Sequence, residues 1–244
     1  MMNKLTVAAF SLLAVIAGCN CNKAEDPEKT SPTNGDIKTT VNQDVSKGAL
    51  EELKNDAFEY SGLSHEGSLT YTGKLNPNIP GDSGTQKSEW KENKDGESIF
   101  EITRTGILRG LGSETVKLTK DGVYIIGTNA GSLNKEALTL PSPFEIGTKW
   151  PTELQLDTGA MVISSTMTSE VVRKETIKVP AGEYECLVVE SKTTLTTDQP
   201  GTSNGVMDST TYYAKGLGVV KMVAKGKNPM GEAVDIMIEL SSTG

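Results

Sequence analysis

The clearest pattern lies at the C-terminal end of the chain. Val234, Ile236, Ile238 and Leu240 alternate with Asp235, Met237 and Glu239. A strict period of two puts one set on an apolar face and the other in water, which predicts a half-buried antiparallel strand. Tyr184, Cys186 and Val188 alternate in the same way against Glu185 and Leu187. Runs rich in Val, Ile, Thr and aromatic residues, bounded by Gly, Pro, Asn and Asp, predict strands at 68–75, 86–93, 98–105, 114–119, 123–128, 160–168, 171–179, 183–194, 208–214, 219–225 and 233–241. Asn93-Lys94-Asp95-Gly96, Lys120-Asp121-Gly122 and Pro180-Ala181-Gly182 are turn sequences between neighbouring runs.

Ahead of the first strand, Ala49, Leu50, Leu53, Ala57 and Phe58 recur near a helical period, and Ser46 can cap that helix. Residues 20–46 hold few apolar and no aromatic side chains. Such a segment cannot bury enough surface to offset its ordering entropy and reads as a disordered tether, about 30 Å in mean span. The pattern as a whole predicts an all-β fold. It is a single antiparallel β-barrel, half-barrel or sandwich of about a dozen strands, with one short N-terminal helix, occupying residues 47–244. No internal repeat interrupts it.

The first residues follow a different order. Lys4 supplies a positive start, Leu5 to Ile16 form an uncharged apolar run, and the small residues Ala17 and Gly18 follow. This is the layout of a signal peptide over residues 1–18, and the apolar run is too short to span a bilayer. Ile16-Ala17-Gly18-Cys19 resembles the lipobox of bacterial lipoproteins. The resemblance implies cleavage between Gly18 and Cys19, with a diacylglyceryl group on the Cys19 sulfur. Two acyl chains on one residue satisfy the two-signal requirement for stable membrane anchoring. Asn20 stands where that family's sorting rule reads Asp as inner-membrane retention, which leans toward the outer membrane of a two-membrane cell.

Three further phrases are Phe144-Glu145-Ile146-Gly147-Thr148-Lys149-Trp150, Val179-Pro180-Ala181-Gly182-Glu183-Tyr184-Glu185-Cys186 and Tyr212-Tyr213-Ala214-Lys215-Gly216-Leu217-Gly218-Val219-Val220-Lys221. Their order and spacing over 143–240 resemble an uncharacterised β-rich domain of bacterial envelope proteins. That group loosely resembles the half-barrels of lipoprotein-localisation (Lol) carriers, which bind acyl chains. On their own terms the glycines are turn formers, and Trp150 and Tyr184 are core or rim aromatics.

Charge narrows the partners. The chain carries 24 Lys and Arg against 32 Asp and Glu, a net charge of −8; loss of residues 1–18 removes Lys4 alone and gives −9. That balance opposes binding to nucleic acid and electrostatic adhesion to anionic lipid, so the lipid on Cys19 is the expected membrane attachment. Of three cysteines, Cys19 is taken by lipid, Cys21 lies in the tether, and Cys186 falls in a strand as a small buried hydrophobe. A Cys21–Cys186 bridge is open to an exported protein.

Candidate chemistry is sparse. His65 is the sole histidine and sits in a polar, solvent-facing loop, so it supplies neither a multi-histidine metal site nor an evident base. Gly201-Thr202-Ser203-Asn204-Gly205 matches a nucleophile elbow, but a strand follows it and no histidine lies downstream. Ser88-Glu89-Trp90-Lys91 and Ser132-Leu133-Asn134-Lys135 match Ser-x-x-Lys outside any helix. Paired carboxylates of a glycosidase kind stay open. Six of the eight methionines lie after residue 160, with Met237 on an otherwise polar strand face. These features point to a non-enzymatic envelope domain with no metal or cofactor. The domain is expected to bind an apolar or lipid ligand or another envelope protein. The alternatives are a structural module without a cavity and a carboxylate-based hydrolase.

Overall fold

The structure is a computed structural model, and it describes residues 48–74 and 82–244. The signal segment, the Gly18–Cys19 cleavage position, Cys21, the tether and Ser46 lie outside the described residues.

Thirteen strands make the body: β1 (Ser68–Lys74), β2 (Ser83–Lys94), β3 (Glu97–Arg104), β4 (Glu114–Thr119), β5 (Gly122–Thr128), β6 (Ser132–Leu133), β7 (Ala137–Pro141), β8 (Lys149–Asp157), β9 (Val162–Val179), β10 (Gly182–Thr197), β11 (Gly205–Ala214), β12 (Gly218–Lys227) and β13 (Ala233–Thr243). They form one antiparallel sheet in the order β6-β8-β9-β10-β11-β12-β13-β1-β2-β3-β4-β5-β7. The fold is therefore all-β, and a sandwich of two sheets is excluded. The sheet curls round one core without closing into a hydrogen-bonded barrel. Its two ends meet at a seam between β7 and β8, where Thr152 Oγ1 donates to the Leu138 carbonyl at 2.8 Å.

The predicted alternation on β13 holds: Val234, Ile236, Ile238 and Leu240 are buried, and Met237 is 46% exposed. The three predicted turns form, and Asp95 and Gly96 take positive φ values of 53° and 80°, as the tight β2–β3 hairpin requires. Three differences stand out. The predicted strands 160–168 and 171–179 are one strand, β9. Its ladder with β10 slips rather than stops: Val188 pairs with Arg173 and Val189 with Val171, so Val172 is the extra residue of a bulge. The bulge shifts the inward phase, which is why Cys186, Leu187, Val188 and Val189 are all buried where simple alternation was expected. Strands β6, β7 and β8 were not expected, and β8 holds Pro151, a residue that ordinarily breaks strands. Pro151 is tolerated because β8 pairs with β9 along its length, but with β6 only at Leu156 and Asp157.

The N-terminal helix is shorter than its apolar spacing suggests. A 3-10 turn (Glu51–Leu53) precedes α1 (Asp56–Ser61), whose cap is Asn55, with its Oδ1 accepting from the Phe58 amide at 3.1 Å. Asn55 Nδ2 also donates to the Thr119 carbonyl at 2.9 Å, and Glu59 O accepts from the Gly216 amide at 2.8 Å. These bonds fix α1 to the β4–β5 and β11–β12 turns, so it covers one end of the curled sheet. Phe58 packs on Phe100, and Tyr60 on Phe144. The opposite end carries the β3–β4 connection, a 3-10 segment (Gly106–Leu111) that buries Ile107, Leu108 and Leu111.

Candidate functional site

The inward faces of the strands are not uniformly apolar. On β3, Ser98, Phe100, Ile102 and Arg104 share the buried face; on β4, Glu114, Val116 and Leu118 do. The same period of two that buries the apolar residues carries Arg104 and Glu114 inside. Their side chains are 3% and 2% exposed, and Arg104 Nη2 lies 3.0 Å from Glu114 Oε2. Arg104 Nε donates to Gln86 Oε1 at 2.9 Å, and Nη1 to the Gly112 carbonyl at 3.1 Å. Gln86 is placed by register, since it pairs with Arg104 across β2 and β3. A buried charge demands this degree of pairing and bonding.

Across the core, β8 to β11 contribute a second polar group. Trp150, Ser169, Ser191 and Ser209 form one cross-strand row. Ser169 and Ser191 share a hydrogen bond between hydroxyls of 2.8 Å. Trp150 is 4% exposed, and Phe144 meets its ring edge-on, with centroids 6.0 Å apart. Its buried indole Nε1–H has no acceptor among the described residues.

Between these groups lies an interior cavity of about 90 Å3, bounded by Arg104, Gln86, Trp150, Ser191, Thr211 and apolar side chains that include Ile102 and Val189. By volume that is room for roughly three to six water-sized groups. Drug-sized ligand pockets run from about 300 Å3 upward, so the interior is far from an acyl-chain tunnel. A larger, open cleft of about 830 Å3 lies over β8–β12. Its charges are of both signs, with Lys149, Lys192 and Lys225 against Glu170, Glu190 and Asp208, and Lys149 pairs with Glu170 at 3.0 Å.

The residues singled out from sequence do not converge. Cys19 lies outside the described residues. His65 is half-buried rather than solvent-facing; its Nε2 is buried without a hydrogen-bond partner among the described residues, and burial lowers its pKa. Ser88 is a buried strand residue, Ser132 begins β6, and 201–204 is a loop running into β11. Cys186 is buried and has no disulfide partner among the described residues, which do not include Cys21, and burial pushes its thiol pKa up to about 12. Met161, Met207 and Met222 fill the core, whereas Met230 and Met237 are exposed. Burial raises the Tyr213 hydroxyl pKa, so Tyr213 is a neutral wall of the cavity at ordinary pH. No helix among the described residues is long and apolar enough to cross a membrane. The interior polar pairs escaped notice because each half lies on a separate strand. Their one local signal is a charged residue in the inward phase of an alternating run.

A family profile described as DUF3108-like matches residues 130–229. That span holds β8–β12, half of the interior polar group and every residue lining the cleft. Among solved structures, the chain is similar to a candidate exported protein with a YmcC-like fold from Bacteroides fragilis. The identity is 14%, over 72% of this chain and 93% of that one, with a TM-score of 0.46. It is similar to a candidate lipoprotein from Parabacteroides distasonis, with 11% identity over 77% of this chain and 98% of that one and a TM-score of 0.49. The hypothetical lipoprotein YmcC of Escherichia coli shares 9% identity over 81% of this chain and 91% of that one, with a TM-score of 0.33. No curated protein matches the chain.

Proposed function

We infer that the chain is a lipid-tethered envelope protein whose β-domain is a non-catalytic binding module for a small ligand, not a carrier of whole acyl chains. The carrying observation is the interior cavity, which is small and rich in hydrogen-bond donors, with Trp150 holding a buried N–H that the described residues do not satisfy. Satisfying buried donors is the rule in folded proteins, and a donor left over beside a cavity is met by whatever molecule fills that space, a water or a ligand. The lipobox-like Ile16-Ala17-Gly18-Cys19 supports the tether, and the net negative charge leaves lipid as the means of attachment. Outer-membrane residence follows from Asn20 only in a two-membrane cell.

A second reading is an interaction module that works through its surface, and the small cavity favours it over the acyl carrier. Native mass spectrometry of protein isolated from its own host separates the readings. A retained mass well below that of a phospholipid is expected. A stoichiometric phospholipid or fatty acid would restore the carrier, and no retained mass would leave the surface module. For the anchor, Cys19→Ala should abolish incorporation of labelled fatty acid and leave an unprocessed precursor or one cut elsewhere. Normal labelling in that variant would overturn the tether.

A further inference from the structure

The chemistry lining the cavity narrows what can occupy it. The Arg104 guanidinium carries five N–H groups, and bonds to Gln86, Gly112 and Glu114 account for three of them. The Trp150 indole adds a donor without an acceptor among the described residues. Ser169 and Ser191 bond to each other, so one of their two hydroxyl protons is left over. The indole and guanidinium groups of this wall can only donate, whereas the hydroxyls can donate or accept, so a molecule that satisfies the Trp150 N–H presents an acceptor oxygen to it.

Charge then selects among acceptors. The Arg104 charge is already balanced by Glu114 at 3.0 Å inside the core. A carboxylate entering this space would be the uncompensated ion, and burying such an ion is far costlier than burying a neutral hydrogen-bonded group. An ammonium ion would meet the same cost and would leave the Trp150 indole N–H without an acceptor. The apolar part of the wall, with Ile102, Val116, Val123, Leu140 and Val189, matches a short hydrocarbon body. The volume admits roughly three to six non-hydrogen atoms if each takes the space of a water.

We propose that the cavity bounded by Arg104, Gln86, Trp150 and Ser191 is a binding site for a small uncharged molecule with an acceptor oxygen and a short apolar body, of the ketone, ester or ether class. This rests on the binding-module reading and names the ligand chemistry of its site. The indole N–H of Trp150 donates to the ligand oxygen, and the hydrocarbon body lies against the aliphatic wall. The neutral Arg104–Glu114 pair excludes ions of either sign.

The chain has two tryptophans, so a Trp90→Phe variant leaves Trp150 as the one indole N–H resonance in a nitrogen-15 spectrum of the mature protein. Trp90 lies on the hairpin away from the cavity and bonds Asn93. Butanone, propionate and propylammonium are three probes of similar size and different charge. Butanone is expected to move the Trp150 resonance downfield and saturably, with an affinity at least tenfold above that of propionate, and propylammonium to leave it unmoved. Ser209→Leu, which adds bulk at the wall, should weaken butanone at least tenfold while the rest of the spectrum stays dispersed. Equal or tighter binding of propionate overturns the uncharged class while leaving a binding module standing. Failure of all three probes to saturate the resonance overturns this site. A retained mass in the native spectrum would then still support binding elsewhere. The probe comparison holds without the Ser209 variant, should that variant misfold.

Discussion

Arg104 and Glu114 put two full charges where an ordinary sheet would put a pair of aliphatic side chains, and the energetic consequences are asymmetric. Removing one partner strands the other charge in the core, so Arg104→Met should cost about 3–5 kcal/mol. Arg104→Met with Glu114→Leu removes both charges and should recover most of that loss, because apolar replacements of buried pairs are often neutral or stabilising by about 1–4 kcal/mol. Urea unfolding of both variants measures it, and a double variant no more stable than the single one would contradict the account. Cys186 gives a pH prediction. Its thiol is shifted from an ordinary 9.0 to about 12 by burial. The folded state therefore favours the protonated form, and the resulting stability is complete below pH 9 and lost as pH rises toward 12. Native protein should resist alkylation by iodoacetamide at pH 8.5, and urea-unfolded protein should react at once; equal rates would refute the burial. At this scale the sequence was partly readable. Parity places Arg104 with Phe100 and Ile102, and Glu114 with Val116 and Leu118. It cannot show that those two faces meet.

Among the strands, β1 illustrates how a single backbone position fixes a pairing. Gly73 has φ of 140° and pairs with Ile238, and a Cβ there would collide with the Met237 carbonyl oxygen. Gly73→Ala should therefore destabilise the β1–β13 ladder by about 1–3 kcal/mol, read as a lowered thermal midpoint. An unchanged midpoint would show that the ladder can shift to admit a methyl group. Local patterning recovered β13, the hairpins and their turns because each rests on side chains next to one another in the chain. It missed β8, which holds Pro151, a strand breaker everywhere except where the neighbouring edge has no ladder to lose. That exemption depends on strand order, which no window of sequence contains. The split of β9 failed for the same reason, since the bulge at Val172 is defined by what β10 does opposite it.

For the molecule as a whole, the decisive feature is that the sheet nearly meets itself without completing its ladder. Thr152 Oγ1 to Leu138 O is a side-chain bond directly between β8 and β7 at that seam. Thr152→Val keeps the shape and removes the bond, and should cost about 1 kcal/mol of global stability. Amide exchange in β7 and β8 should accelerate much more than in β10 or β11. Uniform exchange across the sheet would show that the seam does not open by itself. Strand number and all-β class were legible in the sequence. The single sheet and the small cavity were not, because they follow from curvature and from which side chains face each other across the core.

At that seam the β7 and β8 edges come close enough for Thr152 Oγ1 to reach the Leu138 carbonyl. A free strand edge is a template for a neighbouring chain. Chains held to one surface by lipid meet at high effective concentration, where such templating is most dangerous. On the proposed tether, a sheet whose two ends turn toward each other offers neighbouring copies less free edge to template, and crowded copies are expected to stay separate molecules.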